Sequence, residues 1–509
     1  MNEQETMNTT AGAGVPMPPH YAPYTPYTVP ERVKAEITET DRKAALIALL
    51  TGFLGIRCAA IPFMENTRFG LGLSIFLITA CGFSFFYSKD RSRSHIIRLA
   101  VAAAFSLNVF LTGNDLMQLL SAIFAAMVIC LDSLLVCEGF GGRVRNSLFI
   151  DFLRSVFEPL GKIFLIDEAF KPQKGIGKII SSVVIGLLIA FVPTVMAASL
   201  LAEADSRFSE IISVIMDNSF EHILKLGISV VFGIPVGVYI FSVVWCGRSR
   251  GFDSKAGADP AADRGFIAPM TGVISVVPVL ILYLIFFFSQ LSYYVSAFAN
   301  ILPHSAQSYS EYAREGFFEL CGVVVLNLVI LIVLNLTSKH TDGDVHRSVK
   351  AVSIVLSLFT LALIATAMRK MILYISVYGL SALRIYTSWF MVLLALLFAE
   401  MMIFFFRKYN FARAFSVTFT LMLALLVFSH PDHLTAEYNL SAYANGDLPH
   451  YKITQLEELS IDCIPAVRKH SQMIEEKTGK DADEVIRKIN KDRVQDIFTM
   501  CAGDLINRE

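Results

Sequence analysis

The sequence predicts an all-α fold, a polytopic bundle of about eleven membrane-spanning helices followed by a small helical C-terminal domain. Three observations predict it. Hydrophobic residues make up 54% of the 509, and mean hydropathy is +0.57. Only 17% of residues are charged, below the roughly 25% of an ordinary soluble domain. The apolar residues also gather into runs of about 20, the length that crosses a hydrocarbon core about 30 Å thick. A net charge of −1 argues against a nucleic-acid partner, which requires a net basic surface.

Residues 1–42 hold six of the eighteen prolines, as in "PMPPHYAPYTPYTVP", and have no basic-then-apolar leader. A tail so rich in Pro and Tyr is expected to stay extended and solvated. The expected spans then run 44–64, 69–87, 97–113, 116–137, 179–201, 222–246, 268–290, 317–336, 348–367, 387–406 and 411–429. Lys and Arg orient them, because cytoplasmic flanks carry the excess. The flanks on the side of the N-terminus hold 25 such residues and the opposite loops six. The expected topology is a multi-pass plasma-membrane protein with a cytoplasmic N-terminus and an extracellular C-terminus.

Two connections read as surface helices. In 146–170, apolar residues alternate with charges at helical spacing, which suits a helix lying in the cytoplasmic interface. Segment 369–389 is short between its charges and rich in Tyr, with Trp389, which suits the headgroup zone. A re-entrant hairpin broken at Gly379 is the alternative. Residues 430–509 carry ten Lys/Arg and fifteen Asp/Glu, enough polar chain for a small helical domain. Six of the eight cysteines fall in or beside apolar runs, where Cys acts as a small hydrophobe. Cys463 and Cys501 lie in the polar C-terminal region and are expected to remain thiols, with a disulfide between them the alternative if that region lies outside the cytosol.

Ionisable groups in spans normally face a partner or a wet cavity. Glu311, Glu315 and Glu319 are four apart, so on one helix they form a stripe of mutually repelling carboxylates. Arg314 adjoins them, and Arg369, Lys370 and Arg384 share their side of the expected topology. Arg57 lies about 10 Å inside the first span. These groups, with Tyr312 and Tyr378, make a candidate outer vestibule for a small solute, an ion or a lipid headgroup. An interhelical ion pair between Arg57 and Glu319 is the structural alternative. Asn327 and Asn335 are expected to hydrogen-bond between helices.

Other chemistry finds little support. "HPDH" sets His430 and His433 three apart, too little for a zinc site, so no metal and no cofactor is expected. "KGIGK" lacks the frame of a phosphate-binding loop. There is neither a GxSxG elbow nor an HExxH helix, and no enzyme is expected.

Four stretches occur in order: "LLAEADSRF" (200–208), "YSEYAREGFFEL" (309–320), "MILYISVYGLSALRIYTSWFM" (371–391) and "HPDHLTAEYNLSAY" (430–443). Together they resemble the bacterial multi-pass membrane proteins called domain of unknown function 4173, and the related 4153 group. The resemblance covers most of the chain from about residue 45 to 470 and carries over three motif cores. The first is Tyr312, Ala313, Arg314, Gly316, Phe317, Phe318 and Glu319. The second is Tyr378, Gly379, Leu380 and Arg384. The third is Pro431, Asp432, Tyr438 and Asn439, where His430 stands in place of the usual Asn. The resemblance implies architecture and no activity. Gly316, Gly379, Asp432 and Asn439 are therefore expected to be structural. The functional expectation is transport or binding through the vestibule. The rival is a scaffold or envelope sensor whose external helices bind a protein partner.

Overall fold

The computed structural model describes residues 38–61, 69–137, 148–163, 218–248, 267–289, 317–338, 340–341, 344–407, 409–448, 451–479, 481–490 and 501–502, with isolated helical positions between 186 and 207. The fold is all-α, with one two-stranded ribbon (β1, His340–Thr341; β2, Asp344–Val345) among the described residues.

The first group of helices is α1 (Glu39–Gly55), α2 (Leu71–Tyr87), α3 (Arg93–Leu111), α4 (Asp115–Val136) and α6 (Asn218–Arg248). Thr38 starts α1 with a capping box: its side chain accepts from the Asp41 N–H, and the Asp41 carboxylate answers the Thr38 N–H at 2.8 Å. Asp41 also accepts from the Tyr87 hydroxyl, while Arg248 donates to the Tyr87 carbonyl at 2.7 Å. The start of α1 is thereby tied to the ends of α2 and α6. Along their length α1 and α6 touch through backbone. A Cβ on Gly52 would lie 2.2 Å from the Gly233 carbonyl oxygen, and one on Gly237 would lie 2.6 Å from Leu49 Cα. Lipid offers helices no hydrophobic drive to associate, so small residues that allow close approach take its place.

The second group is α7 (Pro269–Ser289), α8 (Phe317–Thr337), α9 (Arg347–Tyr378), α10 (Ala382–Phe406) and α11 (Phe411–Phe428). Its core packs Leu331, Leu356, Leu363, Met391 and Phe398. Asn327 of α8 holds three helices, accepting from the Tyr283 hydroxyl at 2.7 Å and donating to Thr360 Oγ1 at 2.9 Å. A second cluster joins the groups: Leu423, Leu426 and Val427 of α11 pack with Phe105, Val109, Met117 and Phe124 of α3 and α4. Met270, Ile274, Ile281, Leu282, Ile285 and Phe288 are exposed along α7, which suits contact with acyl chains.

Among the described residues eight helices are long and apolar enough to cross a membrane, and two shorter apolar ones, Leu71–Tyr87 and Leu320–Asn335, accompany them. Ten of the eleven expected spans coincide with these helices. The expected span 179–201 lies largely outside the described residues, as does most of the 1–42 tail. The surface-helix reading of 369–389 is replaced. Residues 369–378 continue α9, residues 382–389 begin α10, and Gly379 breaks between them at φ 77°. At 1.5 Å per residue the 32-residue α9 is about 48 Å long, so one end must project beyond the hydrocarbon.

In the 146–170 connection, α5 (Leu148–Phe157) buries Asp151 and Ser155 and exposes Phe149, Ile150 and Phe157. Its polar face turns to the protein and its apolar face away, an arrangement suited to a bilayer interface.

The C-terminal helical region comprises α12 (Pro431–Asn445), α13 (Ile464–Lys469), α14 (Ser471–Thr478) and α15 (Ala482–Ile489), with 3-10 turns over Ile453–Glu458 and Ile461–Cys463. Its core is Ala436, Leu440, Leu456, Cys463, Val467, Ile474 and Val485. Cys501 is buried beside Ile461 and Ile464.

Candidate functional site

The motif residues of the last third of the chain meet where the C-terminal region rests on three helix-end turns, 112–114, 379–381 and 429–430. The turn at 379–381 is shaped first by Arg384. Ser381 caps α10 by accepting from the Arg384 N–H. The Arg384 guanidinium reaches back to the carbonyls of Tyr378 and Gly379 and lies 4.2 Å over the Tyr374 ring. It thereby satisfies carbonyls that the end of α9 leaves without intrahelical donors. The turn is then clamped by Asn439 of α12, whose amide donates 2.8 Å to the Leu380 carbonyl and accepts 2.7 Å from the Leu380 N–H.

Asp432 lies seven residues earlier on α12, two turns away on the same face. It accepts from Asn114 Nδ2 at 2.8 Å and from the Ser460 N–H at 3.1 Å. Asn114 is itself the N-cap of α4. Beside it, Asp462 accepts from Thr112 Oγ1 at 2.7 Å and the Gly113 N–H at 2.8 Å. His430 Nδ1 is 3.2 Å from the same carboxylate. His430 takes the left-handed backbone (φ 48°) between α11 and α12. Burial pushes the Asp462 carboxyl upward, but the bonds from His430, Thr112 and Gly113 outweigh it and hold it below its usual range. The same bond raises His430 above its ordinary value against the opposing effect of burial.

The fate of each expected residue differs. Tyr378 and Arg384 come together at one turn, with Tyr378 exposed and Arg384 bonded to backbone. Gly379, Asp432 and Asn439 all lie in the junction. Arg57 is half-buried in a π-helical turn, Ile56–Ala60, that continues α1. Glu311, Tyr312, Arg314, Glu315 and Gly316 lie outside the described residues, as does the side chain of Glu319, in the first turn of α8. Asn114, Thr112 and Asp462 were not singled out in the sequence, nor was Tyr386, whose hydroxyl accepts from Asn114 Nδ2 at 3.2 Å. "TGND" carries an N-cap signal that points to Asn114; Asp462 carries none.

A cleft of about 730 Å³ opens beside this junction, between Ser376 of α9 and the face of α12 carrying Glu437, Tyr438, Ser441 and Asn445. Glu437 is paired with Lys469. Among the described residues no cluster of three His, Cys, Asp or Glu is placed to hold a metal ion.

A family model described as "Domain of unknown function (DUF4153)" matches residues 99–470. It runs from within α3 to the end of α13 and includes the junction residues named above, and it does not reach the narrower 4173 group that the motifs resemble. No curated protein and no solved structure matches the chain. The match covers well over half of the chain, and the protein belongs to the DUF4153 family of multi-pass membrane proteins.

Proposed function

We propose that the protein is a non-catalytic membrane scaffold or sensor that presents its C-terminal helices as a fixed platform for a protein partner at one membrane surface. One observation carries this reading. Asp432, Asp462 and Asn439 bond to turns of two different helical hairpins, so the platform is attached at several points and cannot swing as a tethered tail. The cleft lined by Tyr438 and Asn445 is a recess on this platform. The Lys/Arg asymmetry of the sequence supports an N-terminus in the cytoplasm and a platform outside the plasma membrane.

A photo-crosslinking residue at Tyr438 tests the reading in living cells. One discrete adduct, lost when Asp462→Ala loosens the junction, is the expected result. An unmodified chain throughout would count against it. Reporter fusions at residue 509 test the orientation, and activity on the cytoplasmic side would reverse it.

Arg57 favours a second reading. No hydrogen bond or ion pair holds its half-buried guanidinium among the described residues, and π-helical turns often mark ligand sites. An anionic solute or lipid headgroup would satisfy it, with Glu311, Arg314, Glu315 and Glu319 as the remaining vestibule candidates. Arg57→Gln with unchanged abundance and unchanged uptake, efflux and lipid composition would remove this reading.

A further inference from the structure

Within α2, α3 and α4 a line of buried polar groups runs between the two ends of the bundle. At the end where α1 begins, Asp132 of α4 accepts from His95 Nδ1 at 2.8 Å and from Arg98 Nε at 2.7 Å. The Asp132 and His95 side chains are 1% and 0% exposed. At the other end Asn108 donates to Ser121 Oγ and to the Val427 carbonyl, and Gln118 donates to the Thr112 carbonyl at 2.8 Å. Thr112 in turn donates to Asp462, the partner of His430. Between the ends, Ser74 donates to the Ser106 carbonyl at 2.8 Å. Cys81 lies beside Ser106 and within electrostatic reach of Asp132.

Three buried acceptors on this line, His95 Nε2, Asn108 Oδ1 and Gln118 Oε1, meet no donor among the described residues. The hydrogen bonds orient them. Asp132 accepts from Arg98 and from His95, so His95 Nδ1 carries a proton, and in the neutral ring Nε2 presents a lone pair. Asn108 and Gln118 face backbone carbonyls with their NH₂ groups, which turns their oxygens the other way. A buried acceptor without a donor is costly, and native proteins supply one, commonly water. From His95 to Asn108 is thirteen residues along α3, about 20 Å, or two-thirds of a hydrocarbon core.

We propose that this α2–α3–α4 seam is a proton pathway, in which water or hydronium donates to the three orphan acceptors and His95 binds and releases the transferred proton. The step breaks an O–H bond of hydronium and forms an N–H bond at Nε2, giving water and an imidazolium whose Nδ1–H still donates to Asp132. On release that N–H bond breaks and an O–H bond forms on the next water. Arg98 balances Asp132, so the added charge needs a further anion. Asp90, in the loop before α3, lies within electrostatic reach of both His95 and Arg98. From α2, Cys81 and Phe85 face the triad, with Arg91 stacked 4.5 Å over the Phe85 ring. The proposal does not rest on the scaffold reading, because His95, Asn108 and Gln118 all lie on α3 and α4.

The test uses the full chain in vesicles loaded with a pH dye, with proton entry driven by a valinomycin-set potassium potential. Wild type is expected to acidify vesicles about tenfold faster than protein-free vesicles. His95→Gln and Gln118→Met, checked for folding, are expected to fall to the protein-free rate, and Ser275→Ala on α7 to keep the wild-type rate. Gln118→Met keeps side-chain length and decides the case if His95→Gln does not fold. A wild-type rate equal to that of empty vesicles, or a folded seam variant as fast as wild type, overturns the proposal and leaves the acceptors as sites of structural water.

Discussion

Asn439 grips Leu380 from both sides, its amide bonded to the Leu380 N–H at 2.7 Å and to the Leu380 carbonyl at 2.8 Å. A side chain 59 residues away thus takes the place of a strand partner for one residue at the tip of the α9–α10 hairpin. Removing it strands two backbone groups. Asn439→Ala is expected to destabilise the junction by about 2–4 kcal/mol, seen as earlier protease cleavage after residue 430 with α1–α11 still protected.

Gly379→Ala should act at the same place by a different route. The φ of 77° is unfavourable for any side chain, and an added Cβ would lie 2.5 Å from Asn439 Oδ1. The double variant with Asn439→Ala is expected to cost less than the sum of the two, because the collision disappears with the amide. Additive thermal shifts would show that the two residues act separately.

The Asp462–His430 pair predicts two pH limits. The Asp462 carboxyl is held low, so its stabilising contribution is present above its unfolded value and is lost as pH falls through its folded one. His430 is raised, so its contribution is complete below its unfolded value of about 6.5 and is lost as pH rises through its folded one. Attachment of the platform is therefore expected to be tightest in mildly acid solution and to loosen toward alkaline pH. Hydrogen exchange at Gly113 measured across that range checks it. His430→Gln should abolish the alkaline loosening and keep the acid one.

The α1–α6 crossing is expected to be intolerant of bulk. Gly52→Val must push against the Gly233 backbone, where no flexible side chain can give way, and folded yield is expected to fall several-fold. Gly82→Ala, with open space around its Cβ position, should leave yield unchanged. Equal yields would deny the crossing.

Asn327→Leu removes two interhelical bonds, to Tyr283 and Thr360. Polar bonds between membrane helices are worth about 0.6 kcal/mol on average, so a loss of about 1–2 kcal/mol is expected in detergent unfolding.

Asn327 shows what was legible beforehand. An amide in an apolar run must find a partner, so its interhelical bonding could be read from one segment alone. Ten of the expected spans were legible for the same reason, since hydrocarbon thickness sets a length that composition reveals. Segment 369–389 was misread because its charges and tyrosines suit an interface as well as they suit the projecting ends of two long helices. Gly379 marked the break correctly, yet only the length of α9 shows that the segment is a hairpin tip. The site was less legible. Asp432 and Asn439 stood out through a resemblance that gives no partner, and Asp462 stood among ordinary C-terminal acids with nothing to distinguish it.

By itself the sequence determined that the chain lives in a bilayer, where its helices lie, and that a polar helical segment follows them. Those properties depend on local hydrophobicity and on backbone groups that lipid forces to bond within their own segment. Tertiary structure alone decided which charges meet. It placed Asp132 against His95 and Arg98, and Asp462 against Thr112, Gly113 and His430, because such pairs join residues from 32 to 350 positions apart. Partner choice at that separation follows from how helices cross and where their turns fall, and no single segment encodes it.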